Sequence, residues 1–431
     1  MLPPAESIQI ILPTASILLL IMSLKNPVYG VMSYFIVLNA KLGDMYPALG
    51  AMRFELVVAI IVLLRIFISF KGLGNIFPRI SPINGAFWSF MTVGMLSIAF
   101  SVDPATSWDF GGYFILKYAL FYLMIVSTVL TTADLSKFLW AFILVTAWIA
   151  YEPVANYLSG IASEHGYGSV AYGRYGAAAG HVALANSLNQ AIPFIIFFAL
   201  AGRKRFPKLL SLAVLALIVF GVYASKSRGG FLGLMIVFLG MVYFARNRAR
   251  ALIIAGFVFV VFFSVAATDY LSHMSTIKEG VHASRSSSDR YLGFVNGISM
   301  MIKRPIIGVG VGCYAEARGR FFNYRFYAHN MYGEVLGELG IASLAWFYWI
   351  WAVFRKTKEI KTSLYEYKEN GTFYLNIINA IQLMLVLRLF IGNFSHGYFI
   401  WFWFMVAALT VCIQNIIVRE REELIPVPVG A

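Results

Sequence analysis

Arg228 sits in a short polar turn, Ser225-Lys226-Ser227-Arg228-Gly229-Gly230, between two long apolar runs. Its guanidinium carries a permanent charge on a planar fork that matches phosphate oxygens two at a time. The glycines beside it allow a tight turn and close backbone approach. An interfacial arginine that snorkels to lipid headgroups has the same surroundings, so spacing alone leaves both roles open. His329 follows an aromatic and basic stretch and opens the next apolar run. An imidazole there can take a proton near neutral pH, which suits a general base acting on a hydroxyl. A histidine hydrogen-bonded at a helix start is the plainer alternative. Glu334 and Glu338, four residues apart, share one helical face within that run. Carboxylates at such depth face a cavity or a basic partner; Arg388 is a candidate partner, and a supporting role suits these acids better than a catalytic one. Asp103 and Asp109 offer hard oxygen ligands for a divalent cation. Their spacing matches no compact metal motif, and Asp103-Pro104 reads equally well as a turn.

The elements that must position these groups are membrane spans. The chain has 431 residues, of which 60% are hydrophobic, with a mean hydropathy of +0.76. Soluble domains do not reach such values, and the apolar runs are long enough to cross a bilayer core, which takes about 20 residues. About thirteen spans are expected, near 7–23, 27–41, 52–70, 83–101, 112–131, 135–155, 184–201, 207–224, 229–245, 250–267, 333–354, 374–393 and 397–417. This predicts one all-α polytopic membrane domain over 1–431, with about 12–14 transmembrane helices. No internal repeat is visible.

Charge sets the orientation. Arg203-Lys204-Arg205 with Lys208, then Arg246, Arg248 and Arg250, then Arg355, Lys356, Lys358 and Lys361, then Arg419 and Arg421 all lie beside apolar runs. Short flanks rich in Lys and Arg stay cytoplasmic. The Ser225–Arg228 turn, the segment ending in Ala328-His329-Asn330, and the turn at Phe394-Ser395-His396 are then external. The net charge of +14 therefore needs no nucleic acid, since about half of the basic residues lie at cytoplasmic flanks beside anionic lipid. Cys313 and Cys412 fall at different sides or depths, which argues against a disulfide between them, and the two cannot build a metal cluster.

The largest external segment, 268–332, holds eight Lys or Arg against four acids, against the usual trend and suited to something anionic outside. Within it, Ser286-Ser287-Ser288-Asp289 reads as a helix start. Phe294, Val295, Ile298, Met301 and Ile302 follow at helical spacing, and Pro305 ends the run. The pattern predicts an amphipathic helix at the outer interface, with Arg290 in its first turn. A second external segment, 156–183, contains His165, Arg174 and His181.

The Ser-Lys-Ser-Arg-Gly-Gly turn resembles the signature turn of the O-antigen ligase and polymerase family of bacterial membrane glycosyltransferases. So do Arg304-Pro305-Ile306-Ile307-Gly308-Val309-Gly310, Ala328-His329-Asn330 and Gly337-Glu338-Leu339-Gly340-Ile341, in that order. Gly173-Arg174-Tyr175-Gly176 resembles a further family feature. The resemblance is strongest over about 220–345. It implies a helical membrane fold of the glycosyltransferase C superfamily type. It also implies inverting transfer of a glycan from a polyprenyl (undecaprenyl) diphosphate carrier to an acceptor hydroxyl, such as that of lipid A core, on the periplasmic face of the inner membrane. Such enzymes need no metal or other cofactor. By motif match, Arg228 and Arg290 bind the diphosphate, with Lys226 and Arg174 expected beside them, and His329 acts as base. Arg285 competes with Arg290 for the second phosphate position. Ser227, Asn330, Tyr332 and Glu338 are expected to support these groups.

The residues make that chemistry reasonable. A leaving diphosphate gains negative charge as the glycosidic bond breaks, and fixed guanidinium groups stabilise it where water is partly excluded. Phe321, Phe322, Tyr324, Phe326, Tyr327 and Tyr332 can stack on sugars, although interfacial anchoring explains such residues equally. Ligation to lipid A core, polymerisation of repeat units, and transport of a lipid-linked glycan remain alternatives. A transporter would carry charges near mid-membrane and show repeat symmetry; here the charges cluster at the expected outer surface.

Overall fold

A computed structural model describes residues 10–69, 81–160, 171, 173, 179–202, 204–245, 247–249, 251–253, 256, 285–364 and 371–424, with the side chains of 285–287 and 423–424 left aside. The protein is an all-α polytopic membrane protein. Its principal helices are α1 (Ile11–Met22), α2 (Pro27–Ala40), α3 (Phe54–Ser69), α4 (Pro82–Ala99), α5 (Tyr113–Thr128), α6 (Thr132–Leu158), α7 (His181–Phe194) and α8 (Arg205–Ala224). They continue with α9 (Arg228–Phe244), α10 (Arg285–Lys303), α11 (Tyr314–Phe322), α12 (Met331–Leu339), α13 (Leu344–Leu364), α14 (Gly371–Ile391) and α15 (Trp401–Leu424). Among the described residues, seven helical runs are long and apolar enough to cross a membrane, and α1, α2 and α9 are shorter apolar helices. The span expected over 250–267 lies almost wholly outside the described residues.

Several helices begin where the sequence supplies a cap. Asn26 accepts the Val28 N–H ahead of Pro27 in α2, and Thr131 accepts the Asp134 N–H in α6. The bundle closes around α15, which is buried along most of its length, whereas α8 is largely exposed on the periphery. Phe87, Phe90, Trp349, Tyr398 and Phe404 interlock between α4, α13 and α15, a dense aromatic packing worth about 0.5–1.5 kcal/mol per pair beyond burial.

Segments assigned to one side by their charge pattern meet one another. At the expected cytoplasmic end, Asn26 donates to Asp134, Tyr374 and Thr132 bond Glu420, and Arg421 donates to the Ser363 carbonyl. At the other end, the Val102 N–H donates to the Val309 carbonyl, and the Ser107 hydroxyl to the Val311 carbonyl. There Phe394 packs over Gly229. Asp103 caps the short helix Pro104–Ser107, accepting from the Thr106 N–H and hydroxyl and facing Arg320 at 3.5 Å. Its turn role is the one the geometry displays.

The expected span over 333–354 falls within the spanning run Met331–Leu364, which is interrupted near its start. Gly340, at φ +59, ends α12, and a 3-10 turn at Gly340–Ser343 precedes α13. The freed amides find partners elsewhere: the N–H groups of Ile341 and Ala342 donate to the carbonyls of Pro305 and Ile306. A Cβ at position 340 would press on the Pro305 carbonyl, so both the dihedral and the space require glycine. This break makes α12 a separate short helix at the end of the bundle.

Candidate functional site

The Arg228 turn is built by its own serines. The Ser225 hydroxyl donates to the Val222 carbonyl and accepts the Ser227 N–H at 3.3 Å. Ser227 in turn accepts the Gly230 N–H at 3.1 Å as the N-cap of α9. Lys226 takes a left-handed backbone, φ +48. Arg228 is thereby the first residue of α9, half-buried, at the end where unpaired amides and the helix dipole favour an anion. Gly230 lets α9 close on Ala185 of α7, and the Asn189 side chain of α7 donates to the Gly230 carbonyl at 2.7 Å.

Two glycine pairs bring α10 to this turn's neighbourhood. Gly293 and Gly297 of α10 lie against Ala328, Gly333 and Gly337, so close that a Cβ at 293 or 297 would overlap a backbone carbonyl. Small residues four apart are the means by which helix backbones approach this closely. The Tyr314 hydroxyl of α11 ties down the Gly293 carbonyl. The buried face of α10 is thus Gly293, Gly297 and Met300, while Tyr291, Leu292, Phe294 and Ile302 are exposed. The expected amphipathic helix is present, with its bulky apolar face turned away from the protein, but it begins by Arg285, so Ser286–Asp289 lie within it and Arg290 falls in its second turn.

This packing sets Arg290 near Arg228 and His329. Burial, and then the like charge of Arg228, lower the Arg290 pKa, partly offset by Asp289. His329 stands at the end of the 323–330 segment with a left-handed backbone, φ +46. Its ring lies 5.0 Å from Phe326 and 5.6 Å from His396, centroid to centroid. Desolvation, then His396 and Arg290, push its pKa down to about 4. The imidazole is therefore unprotonated, and able to accept a proton, across the neutral range.

The residues behind His329 hold it in place. Asn330 caps α12, accepting the Gly333 N–H at 2.9 Å, and its amide donates to the Asn393 carbonyl at 3.3 Å. The Tyr332 hydroxyl donates to the Leu389 carbonyl at 2.8 Å, and the Met331 N–H to that of Gly392. Arg318 is fully buried on α11. It donates to the Tyr327 carbonyl at 3.2 Å and lies over the Tyr324 ring at 4.7 Å, with its Nε and Nη2 unpartnered among the described residues.

The two acids of α12 work on separate partners. Glu338 accepts from the N–H groups of Gly312 and Tyr314 and from the Tyr398 hydroxyl at 2.7 Å, locking three segments together. Glu334 accepts the Gly397 N–H at 2.7 Å, while Arg388 donates to the carbonyls of His396 and Gly397. Arg388 is thus the neighbour of Glu334, with the His396 turn gripped between them.

Of the residues singled out from sequence, Arg228, Arg290 and His329 converge, and Lys226, Ser227, Asn330 and Tyr332 lie in or directly behind the segments that carry them. Glu338 acts further back, on the scaffold. Arg174 lies outside the described residues, and so does the side chain of Arg285. Two residues were missed. His396 lies far along the chain in a turn with no motif of its own, and Arg318 was one basic residue among eight in its segment.

Residues 212–348 match the family model described as O-antigen ligase, and no curated protein matches the chain. The matched stretch runs from within α8 to within α13, about a third of the chain, and includes Arg228, Arg290, His329 and both acids of α12; over that stretch the chain is similar to the O-antigen ligase family.

Proposed function

We propose that the protein transfers a glycan from a polyprenyl diphosphate carrier to an acceptor hydroxyl, inverting the anomeric carbon, at the periplasmic face of the bacterial inner membrane. The acceptor is lipid A core, so the reaction is O-antigen ligation. One observation carries this reading: two guanidinium groups repel each other beside an imidazole kept unprotonated by its surroundings. Two guanidinium groups close enough to repel each other suit an anion of at least two charges, as a diphosphate is. Arg228 and Arg290, joined by Lys226 and Arg174, bind the diphosphate and stabilise the charge that grows on it. His329 takes the acceptor proton as the hydroxyl attacks. The oxygen of the acceptor bonds the anomeric carbon, and the carrier diphosphate leaves with the electron pair of the broken bond. The guanidinium groups supply the positive charge that a metal provides elsewhere, and no cofactor enters the scheme.

The test is direct. Purified protein receives carrier-linked glycan together with lipid A core, or carrier-linked glycan alone. Core capped with glycan supports ligation. Growth of the chain on its carrier would replace ligation by polymerisation, and no covalent product with either mixture would reject the transferase reading.

A further inference from the structure

A buried arginine and a half-buried glutamate are committed to one small turn. Arg388 is 4% exposed, and Glu334 meets the same Gly397 peptide from its N–H side. Burying ions costs several kcal/mol each unless their hydrogen bonds are well used, yet here both serve the backbone at 396–397 rather than a direct ion pair. That backbone carries His396, a residue reached by solvent whose ring stands beside the half-buried His329. Tyr327 also stacks on His396, with centroids 5.9 Å apart.

We propose that His396 is the proton outlet of His329: it receives the proton taken from the acceptor hydroxyl, directly or through one water, and releases it to solvent. This rests on the glycan-transfer reading above. The balance requires such an outlet. A new C–O bond forms, the carrier C–O bond breaks with its electrons staying on the diphosphate, and one proton is left over. His329 is a poor place to keep it, because Arg290 of α10 and Arg318 of α11 both oppose its positive charge, with only Asp289 favouring it. A ring separation of 5.6 Å is within reach of hand-over between nitrogens or across a single water. Desolvation on its inner side and then Arg388 of α14 lower the His396 pKa as well, so it also sheds a proton readily, and the solvent-exposed side of the residue gives that proton a way out. His396 acts through His329 and is a positioning and relay residue, not a group that touches the sugar.

The experiment compares wild type, His396→Phe and His396→Gln in detergent, measuring initial transfer rates in weak buffer and with added imidazole. His396→Phe should slow transfer by about 10-fold or more, and free imidazole should restore several-fold of it, as an exogenous carrier replaces the missing one. A full rate in His396→Phe would overturn the proposal. So would a loss in folded protein that imidazole leaves unchanged, since a structural role predicts that result. If neither variant folds, a proton inventory in mixed H2O and D2O on wild type decides: a bowed plot supports two protons in flight, a straight one refutes it. Wild type that transfers no glycan would instead reject the functional reading, leaving the two failures distinct.

Discussion

Gly297 and Gly333 meet backbone to backbone: a Cβ on Gly297 would fall on the Gly333 carbonyl, and one on Gly333 within 2.7 Å of the Phe294 Cα. This contact holds α10 against α12, and therefore Arg290 against His329. Gly297→Ala should cost about 1–3 kcal/mol, because backbone atoms on both sides must move. It should also reduce transfer more than that loss explains, because the two functional groups separate. Gly85→Ala serves as control, since nothing lies within 4 Å of its added carbon; an exposed helical glycine replaced by alanine should gain about 0.5–1 kcal/mol. Thermal melting and initial rate on the same detergent preparations check both. A Gly297→Ala protein as stable and active as wild type would remove the glycine contact from the account.

Much of this arrangement was legible beforehand. The Ser-Lys-Ser-Arg-Gly-Gly run carries its own cap and turn, so the placement of Arg228 at a helix start follows from local chemistry. Asn330 likewise caps the helix that follows His329. What escaped notice depends on distant segments. The bulky residues of α10 at helical spacing marked an interfacial helix, but the glycine face that packs inward carries no hydrophobic pattern to read. Close helix contact instead selects glycine, and the apolar side chains are left for the membrane interface. The break at Gly340 was missed for a similar reason: its amides are satisfied by Pro305 and Ile306, a partnership no hydropathy window contains. His396 gained its place only through Arg388 and Glu334, which come from two other helices.

The base and the phosphate clamp should separate in kinetics. His329→Ala should bind carrier-linked donor almost normally yet turn over at least about 100-fold more slowly, the low end for a general base. Arg228→Ala removes charge that meets the diphosphate before and during bond breaking, so affinity and rate should fall together. Arg228→Lys should recover only part of either, since an ammonium lacks the paired donors of the fork. Donor affinity and single-turnover rate, measured on protein shown to be folded, distinguish these. A folded His329→Ala enzyme with a near-normal rate would leave the base to be found elsewhere.

The pH profile should carry the mark of His329's surroundings. Its imidazole is held down to about 4 by desolvation, His396 and Arg290, against about 6.5 for an unperturbed histidine. The neutral ring is the working form, so activity persists from neutral pH down through the ordinary histidine range. It should fall only as pH approaches the lowered pKa. The acid limb of kcat/KM should therefore centre well below 6.5. A limb centred at 6.5 or above would mean that the ring is solvated in the working enzyme, and that the crowding around it does not set its basicity.

Sidedness can be read with two substitutions at opposite ends of the bundle. Arg325 is 71% exposed in the segment that carries His329, and its ion pair with Glu316 is a surface contact worth little. Lys358 is exposed near the end of α13, within the Arg355–Lys361 run whose charge marks a cytoplasmic flank. Both native cysteines are buried, so single substitutions suffice against a quiet background. Arg325→Cys should react with a membrane-impermeant thiol reagent in intact spheroplasts, and Lys358→Cys only after the membrane is opened. The reverse pattern would place Arg228, Arg290 and His329 in the cytoplasm. The donor would then have to be used on the side where nucleotide-activated sugars are made, and the case for a carrier-linked donor would fall with it.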